Sequence, residues 1–420
     1  LFPSAAIAWR AIEEDFIKEL NIFDDLKLRA SFGQLGNPGV TPGASLSQLS
    51  QDGNNYIFGA GQALAPGIAP NTLGNDNLKW ETTTQFDIGL DASFFNNRLN
   101  MTLDYYNKET KDLLVAVPLL QLTSFDTALS NFGKVRNTGF ELSLNSLNVT
   151  SDNFEWSTNF NISTNKNEIL QIDAPGGFIL NNPIGGDFIG VPSGILRKGI
   201  PLGSFYGLVS EGIWNNQTEI DESGLTGETI FLGGHRYRDV DGDGEIDITK
   251  DRQIIGDANP KFFGGLGNNF RYKRFEVYMY LTFVYGNDIF NETQSRLGVA
   301  FENNVPASYV NRWTPSNTNT NIPASNALQR SLITSNSDMI EDGSFLRLRN
   351  LNFSYNIPTE KLPWLSSAKV YIQGTNLLLF DNYSGYDPEI NRGTGNLKRG
   401  YDNAQDPAIE TYTLGLTLNF

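Results

Sequence analysis

Cysteine is absent from this sequence, histidine occurs once, as His235, and methionine three times. Without cysteine there is no disulfide framework and no thiolate metal site. A single histidine cannot build a histidine-based catalytic triad or a histidine-rich zinc site. His235 lies beside Arg236 and Arg238 in a Gly-rich stretch and reads as a surface loop residue. Positive charge is in deficit, the 420 residues carrying a formal net charge of −16. Nucleic-acid binding needs clustered Lys and Arg, so the acidic balance argues against it. Long apolar runs are also missing, and no segment has the length of a membrane-spanning helix. A barrel escapes that test, because its strands alternate lipid-facing and lumen-facing residues and keep a low mean hydropathy; here the mean is −0.30.

What the chain does have is period-two alternation. It is clearest in the last ten residues. Tyr412, Leu414, Leu416, Leu418 and Phe420 share one face; Thr411, Thr413, Gly415, Thr417 and Asn419 share the other. A tilted strand of that length crosses a bilayer. Gln85–Phe94 and Arg98–Tyr105 repeat the pattern, and Gly139–Leu147, Phe154–Thr164, Phe262–Tyr272, Phe275–Tyr285, Ser344–Asn356 and Ala368–Leu379 follow it less regularly. Leu26–Gln34 and Phe2–Trp9 complete a set of about a dozen strands. Ala11–Leu20 is the one amphipathic helix expected, with acidic residues in its first turn.

The connections alternate between short and long. Phe95-Asn96-Asn97, Asn148–Asn153 and Lys273-Arg274 are tight, whereas Leu35–Lys79, Asn107–Thr138, Asn165–Pro260, Gly286–Gly343 and Phe380–Ala408 are long. Outer-membrane barrels are built this way, with sharp periplasmic turns and long extracellular loops. The alternation puts the C-terminus on the periplasmic side and requires an even number of crossings, or none, between Thr164 and Lys261. Pro201–Trp214 is expected as extracellular hairpin or loop, or as one of a pair of strands. Trp9, Trp80, Tyr105, Tyr106, Trp156, Tyr272, Tyr285 and Phe380 fall near strand ends, where interfacial girdles sit. Aromatics also favour strands for packing reasons alone.

Five segments carry a family resemblance. Leu1–Asn37, Gly203–Trp214 (GSFYGLVSEGIW), Tyr237–Phe263 (YRDVDGDGEIDITKDRQIIGDANPKFF), Ser344–Pro358 (SFLRLRNLNFSYNIP) and Lys369–Leu377 (KVYIQGTNL) resemble, in order and spacing, the barrels of SusC/RagA-type TonB-linked outer-membrane proteins. The terminal Phe420, with Tyr412 opening the last strand, is similar to the signal read by the barrel-assembly machinery. The resemblance implies an all-β fold, a transmembrane antiparallel barrel of about 22 strands. It further implies an N-terminal plug, a segment that contacts the TonB complex, and a SusD-like surface lipoprotein over the barrel. Neither plug nor TonB box is recognisable in 1–420, so the chain reads as the C-terminal portion of a barrel about twice as long. The opening Leu1-Phe2-Pro3-Ser4 shows no basic region and apolar core, which suits a start inside a longer chain.

One constellation has metal-ligand chemistry. Asp239, Asp241 and Asp243 are spaced by two, and Gly244 permits the turn that wraps oxygens around a Ca²⁺ ion. Glu245 can offer its carbonyl, and Asp247 and Asp251 can close the shell. Position twelve is Lys250 where an EF-hand needs a bidentate Glu, so this is no helix–loop–helix site. The alternative is an acidic Gly-rich turn whose carboxylates cap backbone N–H groups. Gly264-Gly265-Leu266-Gly267 lacks the context of a nucleotide loop and reads as small lumen-facing positions. Trp214, Tyr309 and Trp313 are candidates to stack on sugar rings, or to pack within their own loops. No pair of acids stands out as a glycosidase couple, and no enzyme chemistry is expected.

The function these features imply is outer-membrane, TonB-dependent import of a bulky nutrient, either a glycan or a peptide. Two rivals stay open: a passive porin-like barrel, and a soluble acidic β-rich glycan-binding or enzyme module. The soluble module requires the apolar strand faces to meet in a dry core.

Overall fold

Period-two alternation becomes one continuous sheet of eleven strands in the computed structural model. The structure describes residues 2–39, 42–51, 55–119, 121–123, 125, 127–181, 192–297, 304–325, 335–360, 364–390 and 398–420. The wall strands are β1 (Ser4–Trp9), β2 (Asp25–Asn37), β3 (Glu81–Phe94), β4 (Leu99–Pro118), β5 (Thr127–Thr150) and β6 (Phe154–Ile172). They continue as β7 (Phe262–Tyr272), β8 (Phe275–Tyr285), β9 (Phe345–Ile357), β10 (Ser367–Asp381) and β11 (Thr411–Asn419). Each pairs antiparallel with the next in chain order. β6 pairs directly with β7, so the long connection between them crosses the wall no times. No helix among the described residues is long and apolar enough to cross a membrane.

The register decides which faces coincide. Leu28, Leu90 and Leu103 align across β2, β3 and β4, and Leu142 and Ile162 extend that row. At the far end Phe353, Ile372 and Leu414 align in the same way. These side chains form one outward apolar belt, with Ile88 47% and Leu414 78% exposed. Faces meeting in a dry core would be covered, which rules out the soluble-module reading. The opposite face carries Ser, Thr, Asn and charged groups.

Several expected boundaries shift, and the cause is common to them. Connections expected to begin after Asn107 and Asn165 are strand instead, since β4 runs to Pro118 and β6 to Ile172. Apolar alternation stops where the outward face leaves hydrocarbon: Glu109 and Arg136 are paired across β4 and β5 just above Tyr105 and Phe140. The strands themselves continue into water. Ala11–Leu20 also departs from expectation. It is a 3₁₀ turn, Ala11–Glu13, and one α turn, Asp15–Lys18, separated by Glu14 in an extended conformation (φ −77, ψ 135). The break lets Ile12 and Ile17 pack on Ala11, Leu26 and Ala92 at the periplasmic rim.

The tight turns lie where expected. Phe95, Asn96 and Asn97 all have φ near +58 to +59, and Lys273 has φ +55. Asn tolerates this left-handed region better than other non-glycine residues. Trp9, Trp80, Tyr272, Tyr285 and Phe380 are exposed near strand ends as expected. Tyr106 is different: it faces the lumen, where its hydroxyl donates to Asn165 Oδ1 at 3.0 Å.

Replacing Ile88 with Arg places a charge inside the belt and should cost about 2–4 kcal/mol, depending on depth. Ser143→Arg, on the lumen face, should be tolerated. In the complete protein, heat-modifiable gel mobility distinguishes them: loss of the folded band in Ile88→Arg alone supports the sidedness, and equal behaviour contradicts it.

Candidate functional site: lumen wall and extracellular cap

Two surfaces converge here, the inner face of the wall and the folded long loops above it. On the wall, Arg29 holds two carboxylates at once, with Nε 2.8 Å from Asp91 and Nη2 2.9 Å from Asp104. Ser31 donates to Asp87 at 3.0 Å. Farther round, Glu276 gathers Lys369 at 2.6 Å, Asn356 at 3.1 Å and Ser354 at 3.3 Å. Such groups are stable on this face because water or a polar ligand fills the lumen beside them. Gly265 sits beneath a tyrosine: a Cβ there would lie 2.6 Å from the Tyr280 hydroxyl. Gly265 and Gly267 are small lumen-facing positions as expected, whereas Gly264 faces outward under Phe283.

Above the belt the polarity of the two faces inverts. On β6, Lys166 and Glu168 point outward while Ile169 points inward and is 1% exposed. Ile169 and Val135 pack with Ile179 and Leu196, which lie on short strands of the loop folded over them. The long connections after β6, β8 and β10 therefore form a cap. Phe205, Ala258, Phe290, Met339 and Tyr401, drawn from all three, share one buried cluster. Phe205 meets Tyr401 edge-on at 5.0 Å. Asp288–Asn291 pairs antiparallel with Ile340–Asp342 of the same connection and parallel with Tyr401–Asp402, stitching the connection after β8 to the connection after β10. Pro201–Trp214, expected as extracellular hairpin or loop, contributes the short strands Ser204–Gly207 and Ser210–Ile213 to this cap.

Two arginines tie the cap to the wall. Arg347 on β9 bonds Asp387 at 2.5 Å, with both side chains almost fully buried, and Arg349 reaches Glu389 at 2.6 Å. Burial alone would raise the Asp387 carboxyl. The backbone N–H groups of Ala408 and Glu389, with Arg347, outweigh it and hold the carboxyl below the ordinary carboxylate range.

Part of the Asp loop converges on one point. Asp239, Asp241 and Asp243 bring one carboxylate oxygen each to within 4.8 Å of one another. Gly242 and Gly244, at φ +76 and +82, allow the wrap. The carboxylates also cap the turn: Asp239 accepts from Gly242 and Gly244, Asp241 from Asp243, and Asp243 from Glu245. Asp247 lies outside this grouping; its Oδ1 accepts from the backbone of Thr249 and Lys250, which with the Thr249 hydroxyl lowers its pKa. Glu245 is exposed. Asp251 is fully buried and accepts from Val240 and Asp247 N–H at 2.8 and 2.7 Å, so it braces the loop rather than facing the carboxylate trio.

Trp214 and Trp313 are 3% and 7% exposed, so neither presents a stacking surface. They pack inside the cap, where Trp313 Nε1 donates to Asn215 at 3.1 Å. Burial also raises the Tyr309 hydroxyl. His235, expected on the surface, is mostly covered: it stacks on Tyr237 and places Nδ1 3.0 Å from Asp338 of another loop. The signals that sequence reading missed were Arg347 and Arg349. They sit on the lumen face of a recognised strand, but their acidic partners lie 40 residues away.

An antiparallel wall with an outward greasy belt, a polar interior and a folded cap defines an outer-membrane β-barrel. Comparison with known proteins sharpens this. A model of the family described as TonB dependent receptor-like, beta-barrel matches residues 1–245. The chain belongs to that family. TonB-dependent receptor P3 of Formosa agariphila is 39% identical over 427 residues, covering 100% of this chain and 42% of its own length. TonB-dependent receptor SusC of Bacteroides thetaiotaomicron is 28% identical, covering 100% of this chain and 40% of its own length. The structure described as the RagAB peptide transporter superposes with a TM-score of 0.79 at 24% identity, over 100% of this chain and 43% of that one. The chain thus spans about two fifths of these relatives.

Arg347→Met should destabilise the cap by about 3–5 kcal/mol at neutral pH, because Asp387 is left buried without its partner. Asp387 has a depressed folded-state pKa, so its contribution is complete above the unfolded value, roughly 3.9. It fades as pH falls through the lower folded value. Thermal midpoints of the complete protein should therefore differ most at neutral pH and converge in strong acid. A gap independent of pH would contradict the assignment.

Proposed function

We propose that the protein containing this chain imports a bulky nutrient, a glycan or a peptide, across the outer membrane using energy delivered by TonB. The observation that carries the reading is the pairing of a polar, ligand-accessible lumen with a cap folded over it in a TonB-dependent receptor barrel. A passive porin needs no such family relationship and no energy coupling. Eleven wall strands are half of about 22, which fits a second half, a plug and a TonB-contacting segment elsewhere in the protein. A SusD-like lipoprotein over the cap is the partner that the SusC and RagAB likenesses favour. No step on the cargo itself is part of this reading. Uptake by whole cells tests it: dissipating the proton gradient or deleting TonB should abolish uptake, while uptake that persists unchanged would identify a passive barrel.

The Asp loop supports a structural Ca²⁺ site within the cap. Asp239, Asp241 and Asp243 would supply carboxylates, Glu245 its carbonyl, and Asp247 its second oxygen. The convergence of three carboxylate oxygens within 4.8 Å of one another supports this reading, since a cation would offset their mutual repulsion. Lys250 Nζ, 3.5 Å from Asp243, offsets only part of that charge. Calcium should raise the thermal midpoint of the complete protein, and Asp241→Asn should remove most of the increase. No calcium-dependent shift in the unaltered protein would reduce the loop to a capped turn.

A further inference from the structure

The periplasmic connection between β1 and β2 folds back over the outside of the wall. Leu26, Ala92 and Met101 align in the outward rows of β2, β3 and β4, two residues below Leu28, Leu90 and Leu103. Leu26 and Ala92 are buried all the same, because Ile12, Ile17 and Phe23 of the connection pack against them. Phe23 also meets the ring of Phe94 at 5.2 Å. The other large apolar side chains of the segment, Phe16, Leu20 and Ile22, are each more than half exposed. Three such groups on so short a stretch mark a surface that something apolar covers.

The height of the belt decides what that is. Its extracellular limit is set by Glu109, which stands opposite Thr84, one outward position above Phe86. From Phe86 down to Phe94 the strand covers about 26 Å at roughly 3.3 Å per residue. A tilt of about 35–45° leaves about 19–22 Å along the membrane normal, short of the roughly 25 Å that an outer-membrane belt spans. Hydrocarbon therefore reaches down to Phe94, and the connection lies at its periplasmic boundary. The backbone suits that place. The N–H groups of Glu13, Glu14 and every residue from Ile17 to Asn21 donate to carbonyls of the same segment, as apolar surroundings require. Trp9 faces outward, paired with Leu28, and its Nε1 donates to Glu14 Oε1 at 3.1 Å. Tryptophan takes such amphipathic positions at membrane surfaces. Glu13, Asp15 and Glu19 are exposed beside the apolar groups. That mixture is the composition of an element lying in the interface plane rather than deep in hydrocarbon.

We propose that the connection 10–24 is an interfacial collar seated in the inner leaflet, with Phe16, Leu20 and Ile22 among phospholipid acyl chains. The occupant follows from continuity, since the segment packs on the lipid-facing belt and prolongs it. The collar rests on the sidedness of the wall and is independent of the import reading. Nitroxide labels on the complete protein in phospholipid vesicles test it, in a background without other cysteines. Phe16→Cys and Ile22→Cys carry the label, with Leu414→Cys in the belt and Asp152→Cys in a periplasmic turn as references. At both collar positions the ratio of oxygen to polar-reagent accessibility should be several-fold above that at Asp152 and approach that at Leu414. A ratio equal to that at Asp152 puts the segment in water, and labels closed to both reagents put it under protein; either result overturns the proposal. Should the labelled variants fail to fold, a phospholipid with a photoactivatable group near its headgroup decides on the unaltered protein. Cross-links within 16–22 support the collar, and their absence while the belt is labelled overturns it.

Discussion

Hydrocarbon offers backbone N–H and C=O groups nothing to bond to, so every one inside the bilayer must find its partner in the neighbouring strand. The rest of this structure follows from that constraint. Eleven strands pair in strict chain order, and short turns at 95–98, 151–153 and 273–274 hold adjacent strands together on one side of the membrane. The long connections on the other side are released from the wall and can fold with one another. Antiparallel pairing in register then aligns like faces, so a local alternation in each strand becomes a belt around the whole sheet.

The same strands obey a different rule once they leave the membrane. Within the belt, Leu142 and Ile162 face lipid while Ser143 and Asn161 face the lumen. A few residues higher, Lys134 and Arg136 face outward with Glu109, and Val135 and Ile169 turn inward under the cap. The solvent on each side has been exchanged: water now lies outside, and a packed protein interior lies within. The inversion converts a lipid-facing wall into the foundation of a folded extracellular structure without interrupting the ladder.

That foundation explains why the long loops are not independent appendages. Phe205, Phe290 and Tyr401 come from three different connections and bury one another. Arg347 and Arg349 rise from the lumen face of β9 to hold Asp387 and Glu389. Cap and wall share charged contacts where the lumen opens, so a movement of one is felt at the other. A polar cavity lies at this junction, bounded by wall strands below and by Asn259 and Arg399 of the cap above.

The sequence by itself determined the sidedness of the sheet, the short turns and most of the strands: β7 and β8 lie at their expected residues, and the terminal strand has the expected faces. Alternation is a local property, legible wherever lipid meets one face and water the other. It could not reveal strand above the membrane, where the alternation inverts, nor the broken helix at Glu14, which follows from packing on Leu26 and Ala92. Nor could it show that Trp214 and Trp313 are buried, or that Arg347 meets Asp387. Those relations join residues far apart in the chain, and only the register of neighbouring strands and the packing of loops on one another bring them together.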